Sequence, residues 1–477
     1  MTPFRRRESP PLIRVLSGPI GVLVLSAPAY ACLFFIYLLN SLSPLMAGQV
    51  PPDLGSGADG SRTLQFLQIL CLTYLFLIYG LALWHWRRLN VSARALGWSA
   101  AAITILAWTL LPADSSDVLD YIGFGRLIAV YHVSPYLHTY AEFTDRFSTY
   151  VTWDEPMPYG PIVLPVYALA GALSQRHVVM AIYAIKFMWA LCHLLNGWLI
   201  YRLARWLTPV PEYAFFLFVF NPLILLEQPG NGHNDGLLIL FGLLALYALQ
   251  HKHEGLAIWL AFLGALVKTS GLIWLAGIVA LLIGQRRWRG LGRGFAAVLA
   301  GCGCIVTLFP GAWTVFTSMD AQWQYSEDSL HTLLIDRIGA LGLMFGRTWA
   351  YADIFLVDRL IASLLFLAAC AWRLTAIRDV VSFVREIGYV LSLLLLIFAV
   401  SVYPWYMVWL LPIAALTDSA ELRRTITVAS GAALALYAFP SALLQHGNHR
   451  LFWSALRLSV AFEVPIGFWA WELISLA

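Results

Sequence analysis

Charge is what this sequence has least of. Only 12% of its 477 residues are charged, against roughly a quarter in a soluble domain. Hydrophobic residues make up 60%, and the mean hydropathy is +0.74. That balance excludes an ordinary soluble fold. The short alternating segments of a transmembrane β-barrel are also missing: the apolar runs are continuous and about 16 to 25 residues long, the length of a bilayer-crossing helix. Six cysteines, Cys32, Cys71, Cys192, Cys302, Cys304 and Cys370, all lie in apolar runs, which excludes a disulfide framework. Cys302 and Cys304 have no His or Cys cluster beside them and read as small packing residues. There is no P-loop, no dinucleotide-binding glycine fingerprint, no HExxH and no GxSxG. The net charge of +4 is too small and too scattered for nucleic-acid binding.

What is present is a chain of apolar runs in pairs. The expected architecture is an all-α polytopic membrane protein with about 13–14 transmembrane helices, forming a single integral membrane domain over residues 1–477. Arg5, Arg6 and Arg7 precede an apolar run to about Leu39, too long for a signal-peptide core and read as a retained first span. The arginine-rich turns, such as Arg286, Arg287, Arg289 and Arg293, belong in the cytoplasm by the positive-inside rule. This puts two long polar stretches outside, at 113–158 and 310–352. The rule holds only if the short segment 159–174, which carries Pro161 and Pro165, is re-entrant or interfacial rather than crossing. The polar knot from Glu227 to Asp235 then faces the same side as the 113–158 loop.

That loop opens with Asp114, Asp117 and Asp120 at spacing three, which in a helix keeps the carboxylates within one arc. Carboxylates crowded at a membrane surface are costly unless used, and partial burial raises their pKa toward that of a general base. Asp117 is the first choice for that base and Asp120 the second. The bland alternative is that Asp114 and Ser115 only cap the helix. Glu227 is an alternative general acid or base. Arg126 suits a phosphate through its fixed fork, or an internal salt bridge to Asp120. His233 can bind phosphate or carry a proton. Lys268 sits at a tight hairpin tip, where it either neutralises a lipid phosphate or snorkels. Tyr121, Tyr136 and Tyr159 belong to an aromatic-rich loop; such residues gather at membrane interfaces for anchoring alone, though a few can stack on sugar. Asn234 and Asp235 either contact substrate or cap the following helix. The 310–352 stretch and Tyr403-Pro-Trp-Tyr406 read as walls or lids of the site, or as interfacial anchors.

An ordered set of motifs then stands out: Ser116-Asp117-Val118, Tyr121, Gly125-Arg126, Ser134-Pro135-Tyr136, Tyr159-Gly160-Pro161, Asn221-Pro222-Leu223, Glu227, Gly232-His233-Asn234-Asp235, Lys268 and Pro404-Trp405-Tyr406. Over roughly residues 100–412 this set resembles the polyprenol-phosphate-mannose-dependent mannosyltransferases of GT-C fold, of the bacterial α-1,6-mannosyltransferase type. Ser134 stands where that family usually has Asn. The resemblance implies a GT-C-like helical bundle with short juxtamembrane helices in its outer loops and an acidic motif in the first of them. It also implies an inverting transfer of a hexose, mannose by this likeness, from a polyprenyl-phosphate donor to a glycan or lipid-glycan acceptor. The expected setting is the plasma (inner) membrane with the site extracytoplasmic. No cofactor is required; a divalent Mg²⁺ or Mn²⁺ between the aspartates is compatible with carboxylate chemistry. The alternatives are a transporter or flippase, and a polymerase or ligase using lipid-diphosphate oligosaccharides.

Overall fold

The computed structural model describes residues 18–51, 61–86, 91–113, 115–313, 328–346, 351–438 and 455–476. Asp114, and Trp323, Tyr325 and Glu327 of the second outer stretch, lie outside them. The described residues form helices and no strand. The helices are α1 (Pro19–Met46), α2 (Ser61–His85), α3 (Ala93–Thr109), α4 (Asp117–Ala129), α5 (Leu164–Ser174), α6 (Val178–Leu207), α7 (Pro211–Val219), α8 (Pro222–Leu225), α9 (Asp235–Gln250), α10 (Glu254–Ala265), α11 (Leu272–Gly284), α12 (Trp288–Leu308), α13 (Leu330–Met344), α14 (Tyr351–Thr375), α15 (Val380–Leu393), α16 (Leu411–Leu416), α17 (Ala420–Ala432), α18 (Ala435–Ala438) and α19 (Val464–Leu476). Their starts follow local chemistry. Proline opens α1, α7 and α8, where its missing N–H has no helical partner to lose. Ser92 caps α3 by accepting from the Ala95 N–H at 3.1 Å.

Among the described residues, seven helices are long and apolar enough to cross a bilayer, or eight if the pair Pro222–Gly230 and Asp235–Gln250, bent by 112°, is one broken span. The expected 13–14 counted every apolar run but 159–174 as a crossing. Several of the counted runs fold as short helices, among them Glu254–Ala265 and Thr269–Gly284. A helix of 12 to 16 residues rises only about 18–24 Å, less than the roughly 30 Å of bilayer hydrocarbon. The shortness of Pro161–Ser174 agrees with its reading as a non-crossing segment. The 310–352 stretch is not simply a loop, since it contains α13.

The 113–158 stretch is a folded cap rather than a loose loop. It consists of α4, two single 3₁₀ turns at Tyr140–Glu142 and Ser148–Tyr150, and extended connections. Two hydroxyls tie it to the end of α1: Tyr150 donates to the Leu45 carbonyl and Thr149 to that of Gly48, each at 2.5 Å. Ser134 ties it to the second outer stretch by donating to the Pro310 carbonyl at 3.1 Å. Beneath, α4 lies directly on α5. A Cβ added to Gly125 would stand 1.7 Å from the Tyr167 carbonyl oxygen, and one on Gly171 would stand 2.2 Å from the Gly125 carbonyl carbon. Only glycine at both positions allows the two backbones to meet. This contact sets the height and rotation of the helix that carries Asp117.

Candidate active site

Asp117 begins α4, and Asp120 follows within the same arc. Both line a cavity of about 600 Å³, together with Trp153, Tyr159, Trp405 and Tyr406. The cavity therefore lies between the folded cap and the 3₁₀ helix Pro404–Leu410, so the Pro404-Trp405-Tyr406 motif forms its far wall.

Asp117 is about a quarter exposed in its side chain. Its Oδ2 accepts from the Tyr121 hydroxyl at 3.2 Å. Burial pushes this carboxyl above the usual carboxylate range, opposed by Ser115, the Lys268 charge and Tyr121, and helped by the Asp235 charge. Asp120 is differently engaged. Its Oδ1 accepts from the backbone N–H of Thr152 at 2.8 Å and of Trp153 at 3.0 Å, and its Oδ2 from the Thr152 hydroxyl at 2.8 Å. Burial pushes it to about 6 against these bonds. With both oxygens occupied by the loop that forms the cavity rim, Asp120 shapes the site and Asp117 is the carboxylate left for a ligand.

The second half of the site comes from a broken helix. After α8 the chain makes a π turn at Leu226–Gly230 that includes Pro229, then leaves helical geometry until α9 starts. Gly232 sits at φ 88°, in the left-handed region, where a side chain is strained. This break aims Glu227, His233, Asn234 and Asp235 at the base of the cap, all fully buried. Irregular backbone among spanning helices is tolerated where it is buried in protein or lines a cavity. His233 lies between Asp117 and Glu227 and stacks on Trp405, with ring centroids 4.0 Å apart. Asp235 Oδ1 accepts from Lys268 Nζ at 2.8 Å and from the Trp409 indole N–H at 2.6 Å. The ammonium of Lys268 also lies over the rings of Tyr159, Tyr406 and Trp409 at 5.3 to 5.9 Å. The capping alternative for Asn234 does not hold, because its side chain makes no cap bond and donates instead to the Tyr167 hydroxyl at 2.8 Å.

The structure thus brings together Asp117, Asp120, Tyr121, Tyr159, Glu227, His233, Asn234, Asp235 and Lys268. Tyr121 and Tyr159 meet through their hydroxyls at 3.3 Å. Tyr136 stands one layer back, donating to the Tyr159 carbonyl at 3.0 Å. Arg126, expected at a donor phosphate, is placed elsewhere. Nine positions along a helix put it about 180° round from Asp117. There it donates to Tyr140 at 2.7 Å, Ser174 at 2.8 Å and Asp145 at 2.5 Å, over the Phe147 ring. Its salt-bridge partner is Asp145, not Asp120, and it fastens the cap.

Several participants were not singled out from sequence: Tyr167, Trp409, Tyr437 and Lys186. Lys186 is fully buried in α6, and its ammonium donates to the carbonyls of Trp108, at 2.8 Å, and Leu110. It closes the C-terminal end of α3 just before the aspartates, and its stem lies beneath Gly232. A lysine inside an apolar run was the available signal. As for a metal, no group of three His, Cys, Asp or Glu side chains among the described residues is arranged to hold one, and both Asp120 oxygens are already committed.

The profile described as "Alpha-(1->6)-mannopyranosyltransferase, N-terminal domain" matches residues 35–284, and that described as "MptB C-terminal domain" matches residues 334–462. The likeness therefore reaches past both ends of the motif set at 100–412. Alpha-(1->6)-mannopyranosyltransferase B of Corynebacterium glutamicum is 24% identical over 417 residues, covering 80% of this chain and 68% of that protein. A probable alpha-(1->6)-mannopyranosyltransferase of Mycolicibacterium smegmatis is 25% identical over 377 residues, covering 69% and 67%. The first profile spans the cap, the broken helix and Lys268, and by that match the chain belongs to the alpha-(1->6)-mannopyranosyltransferase family, as a mannosyltransferase built into a multi-pass helical membrane protein.

Proposed function

We propose that the protein transfers mannose from a polyprenyl-phosphate donor to a hydroxyl of a glycan or lipid-glycan acceptor, on the extracytoplasmic face of the plasma membrane, forming an α-1,6 bond. The observation that carries this reading is the position of Asp117: a carboxylate raised by burial, at the edge of a cavity of about 600 Å³ walled by Trp153, Tyr159, Trp405 and Tyr406. Aromatic faces suit the apolar faces of sugars. The names of the relatives support mannose and the linkage. The placement of basic turns away from the cap supports the sidedness.

The chemistry follows from the residues. Ionised Asp117 removes the proton of the acceptor hydroxyl as its oxygen attacks the anomeric carbon. The sugar–oxygen bond to phosphate breaks, and the polyprenyl phosphate leaves with the bonding pair. One displacement inverts the anomeric centre. The Lys268 ammonium, beside the cavity and held by Asp235, offsets the charge that grows on the leaving phosphate, a preorganised electrostatic role. Tyr121 orients the base through its bond to Oδ2. Asp120 holds the Thr152–Trp153 rim. No step needs a metal, since a single phosphate leaves.

The test is donor choice in sealed vesicles of known orientation. Polyprenyl-phosphate mannose should label an added α-1,6-dimannoside, and GDP-mannose should not when polyprenyl-phosphate mannose synthesis is absent. Direct use of GDP-mannose would overturn the reading.

A further inference from the structure

The cavity at Asp117 has two unlike walls. Tyr403, Trp405 and Tyr406 form one, and the cap residues Trp153, Asp154 and Glu155 form the other. The rings of the first wall are engaged by other rings: Tyr403 and Trp405 stack 4.6 Å apart, and Tyr406 stacks on Trp409 at 4.7 Å. Tyr159 stands nearly at right angles to Tyr121 and Tyr167, and Lys268 Nζ lies 5.5 Å from its centroid. Trp153 differs. Among the described residues its one ring contact is Phe124, at 6.4 Å and 63°, and no ring stacks on it. It is half-buried and lines the cavity, so an indole face remains for a ligand.

The backbone behind this indole is fixed as well. The N–H groups of Thr152 and Trp153 and the Thr152 hydroxyl all donate to Asp120. Val151 packs so closely on α4 that a Cβ on Gly123 would stand 3.0 Å from its Cγ2. Asp120 is three residues from Asp117 on that helix. The indole and the base are therefore mounted on one rigid element, which is what holding a hydroxyl in register with a base requires. Anchoring in a membrane interface requires no such mounting. Charge divides the cavity in the same way. Asp154 and Glu155 are exposed on the cap side. No Lys, Arg or His is among the described residues that line the cavity; the Lys268 ammonium lies over the rings of Tyr159 and Tyr406. A phosphate is thus drawn toward Tyr406 and repelled along the cap.

We propose that Trp153 is the platform on which the acceptor sugar stacks, and that Asp154 and Glu155 restrict that subsite to uncharged glycans. The donor phosphate takes the Tyr406–Lys268 side, so the two substrates reach Asp117 from different walls. Carboxylates suit a neutral sugar, whose hydroxyls donate charge-assisted hydrogen bonds to them. A sulfate, phosphate or uronate on the acceptor meets two like charges instead.

This inference rests on the reading of the cavity as a mannosyl-transfer site, so its test has an arm that needs no donor. Full-length protein in phosphatidylcholine nanodiscs is titrated with α-1,6-dimannoside, and with the same sugar sulfated on its reducing-end residue, by saturation-transfer NMR. The neutral sugar should bind, about tenfold more weakly in Trp153→Ala, the scale of a lost stacking partner, and within about threefold of wild type in Trp153→Phe. The sulfated sugar should bind wild type about tenfold more weakly than the neutral one at low salt. That gap should fall below about threefold in the double variant Asp154→Asn with Glu155→Gln, and in wild type at about 0.5 M salt, where exposed charges are screened. Wild type that binds neither sugar, Trp153→Ala that binds as wild type does, or a gap that the double variant keeps would each overturn the proposal. The second arm measures transfer from polyprenyl-phosphate [¹⁴C]mannose. Trp153→Ala should raise the acceptor KM about tenfold and leave the donor KM within about threefold. A rise in the donor KM alone would put the indole at the donor and overturn the proposal. A wild type silent with this donor refutes the donor reading alone, and the binding arm still decides.

Discussion

Lys268 and Asp235 form a buried ion pair at 2.8 Å whose second carboxylate oxygen, Asp235 Oδ2, is buried without a hydrogen bond among the described residues. The cation is therefore fixed by one oxygen of its partner and by three aromatic rings around it, two of which, Tyr159 and Tyr406, line the cavity. Removing it strands the acid. Lys268→Met should cost about 3–5 kcal/mol, the scale for breaking a buried pair, and should lower the unfolding temperature in detergent. The double variant Lys268→Met with Asp235→Asn should recover most of that stability yet none of the transfer activity. Recovery of both would mean that Lys268 serves the fold alone.

Arg126 should behave in the opposite way. Burial pushes Asp145 up, but hydrogen bonds from Tyr131, Arg126 and the Phe147 N–H, with the guanidinium charge, outweigh it and hold the carboxyl at about 2. Its stabilising contribution is present above the unfolded value of about 3.9 and is lost as pH falls through 2. Arg126→Met should cost about 3 kcal/mol near neutral pH, while the molecules that remain folded should keep the wild-type donor KM. Thermal unfolding paired with KM in the purified variant checks both halves.

Asp120 separates shape from chemistry. Asn at this position keeps the Oδ1 that accepts from the Thr152 and Trp153 N–H groups, and the Thr152 hydroxyl can turn to accept from the new amide. Asp120→Asn should therefore fold and retain transfer within about tenfold, whereas Asp120→Ala should cost about 1–3 kcal/mol by stranding the buried donors. A carboxyl raised to about 6 favours the folded state while protonated. That contribution is full below about 3.9 and is lost as pH rises through 6. The unfolding temperature of the wild type, relative to that of Asp120→Asn, should rise as pH falls through that window.

The glycine contact under the cap should be intolerant of a single methyl. A Cβ on Gly125 or Gly171 meets backbone, which cannot rotate away. Either alanine variant should lose about 3 kcal/mol or more by overpacking, and should show reduced kcat even where folded, because α4 is displaced. A thermal unfolding curve beside a kcat measurement for each variant tests this.

Much of the site was legible because its residues contradict their surroundings. Asp117, Glu227, His233, Asp235 and Lys268 are ionisable groups in a chain that can hardly accommodate any, and the topology brings them to one place. What escaped notice was the opposite kind of residue. Tyr167, Trp409 and Tyr437 are single aromatics in apolar runs, indistinguishable by sequence from interfacial anchors. Their partners lie far along the chain: Trp409 is 174 positions from Asp235 and Tyr437 is 210 from Glu227. Arg126 misled because its partner Asp145 lies beyond the helical spacings by which pairs are read. The expected span count exceeds the seven or eight helices of crossing length among the described residues, because hydropathy reports that a run is apolar, not how long its helix is.

The central claim, that Asp117 is the base of a polyprenyl-phosphate-dependent mannosyl transfer, is tested most directly by one comparison. Transfer from polyprenyl-phosphate [¹⁴C]mannose to an α-1,6-dimannoside would be measured across pH 4.5 to 8.5 for wild type and Asp117→Asn at matched folded levels. A base works ionised, so wild-type activity should be full at high pH and fall as pH drops through a limb above the ordinary carboxylate value of about 3.9. Asp117→Asn should fall at least a hundredfold and lose that limb. A variant that keeps both the wild-type rate and the wild-type limb would contradict the account and place the base elsewhere.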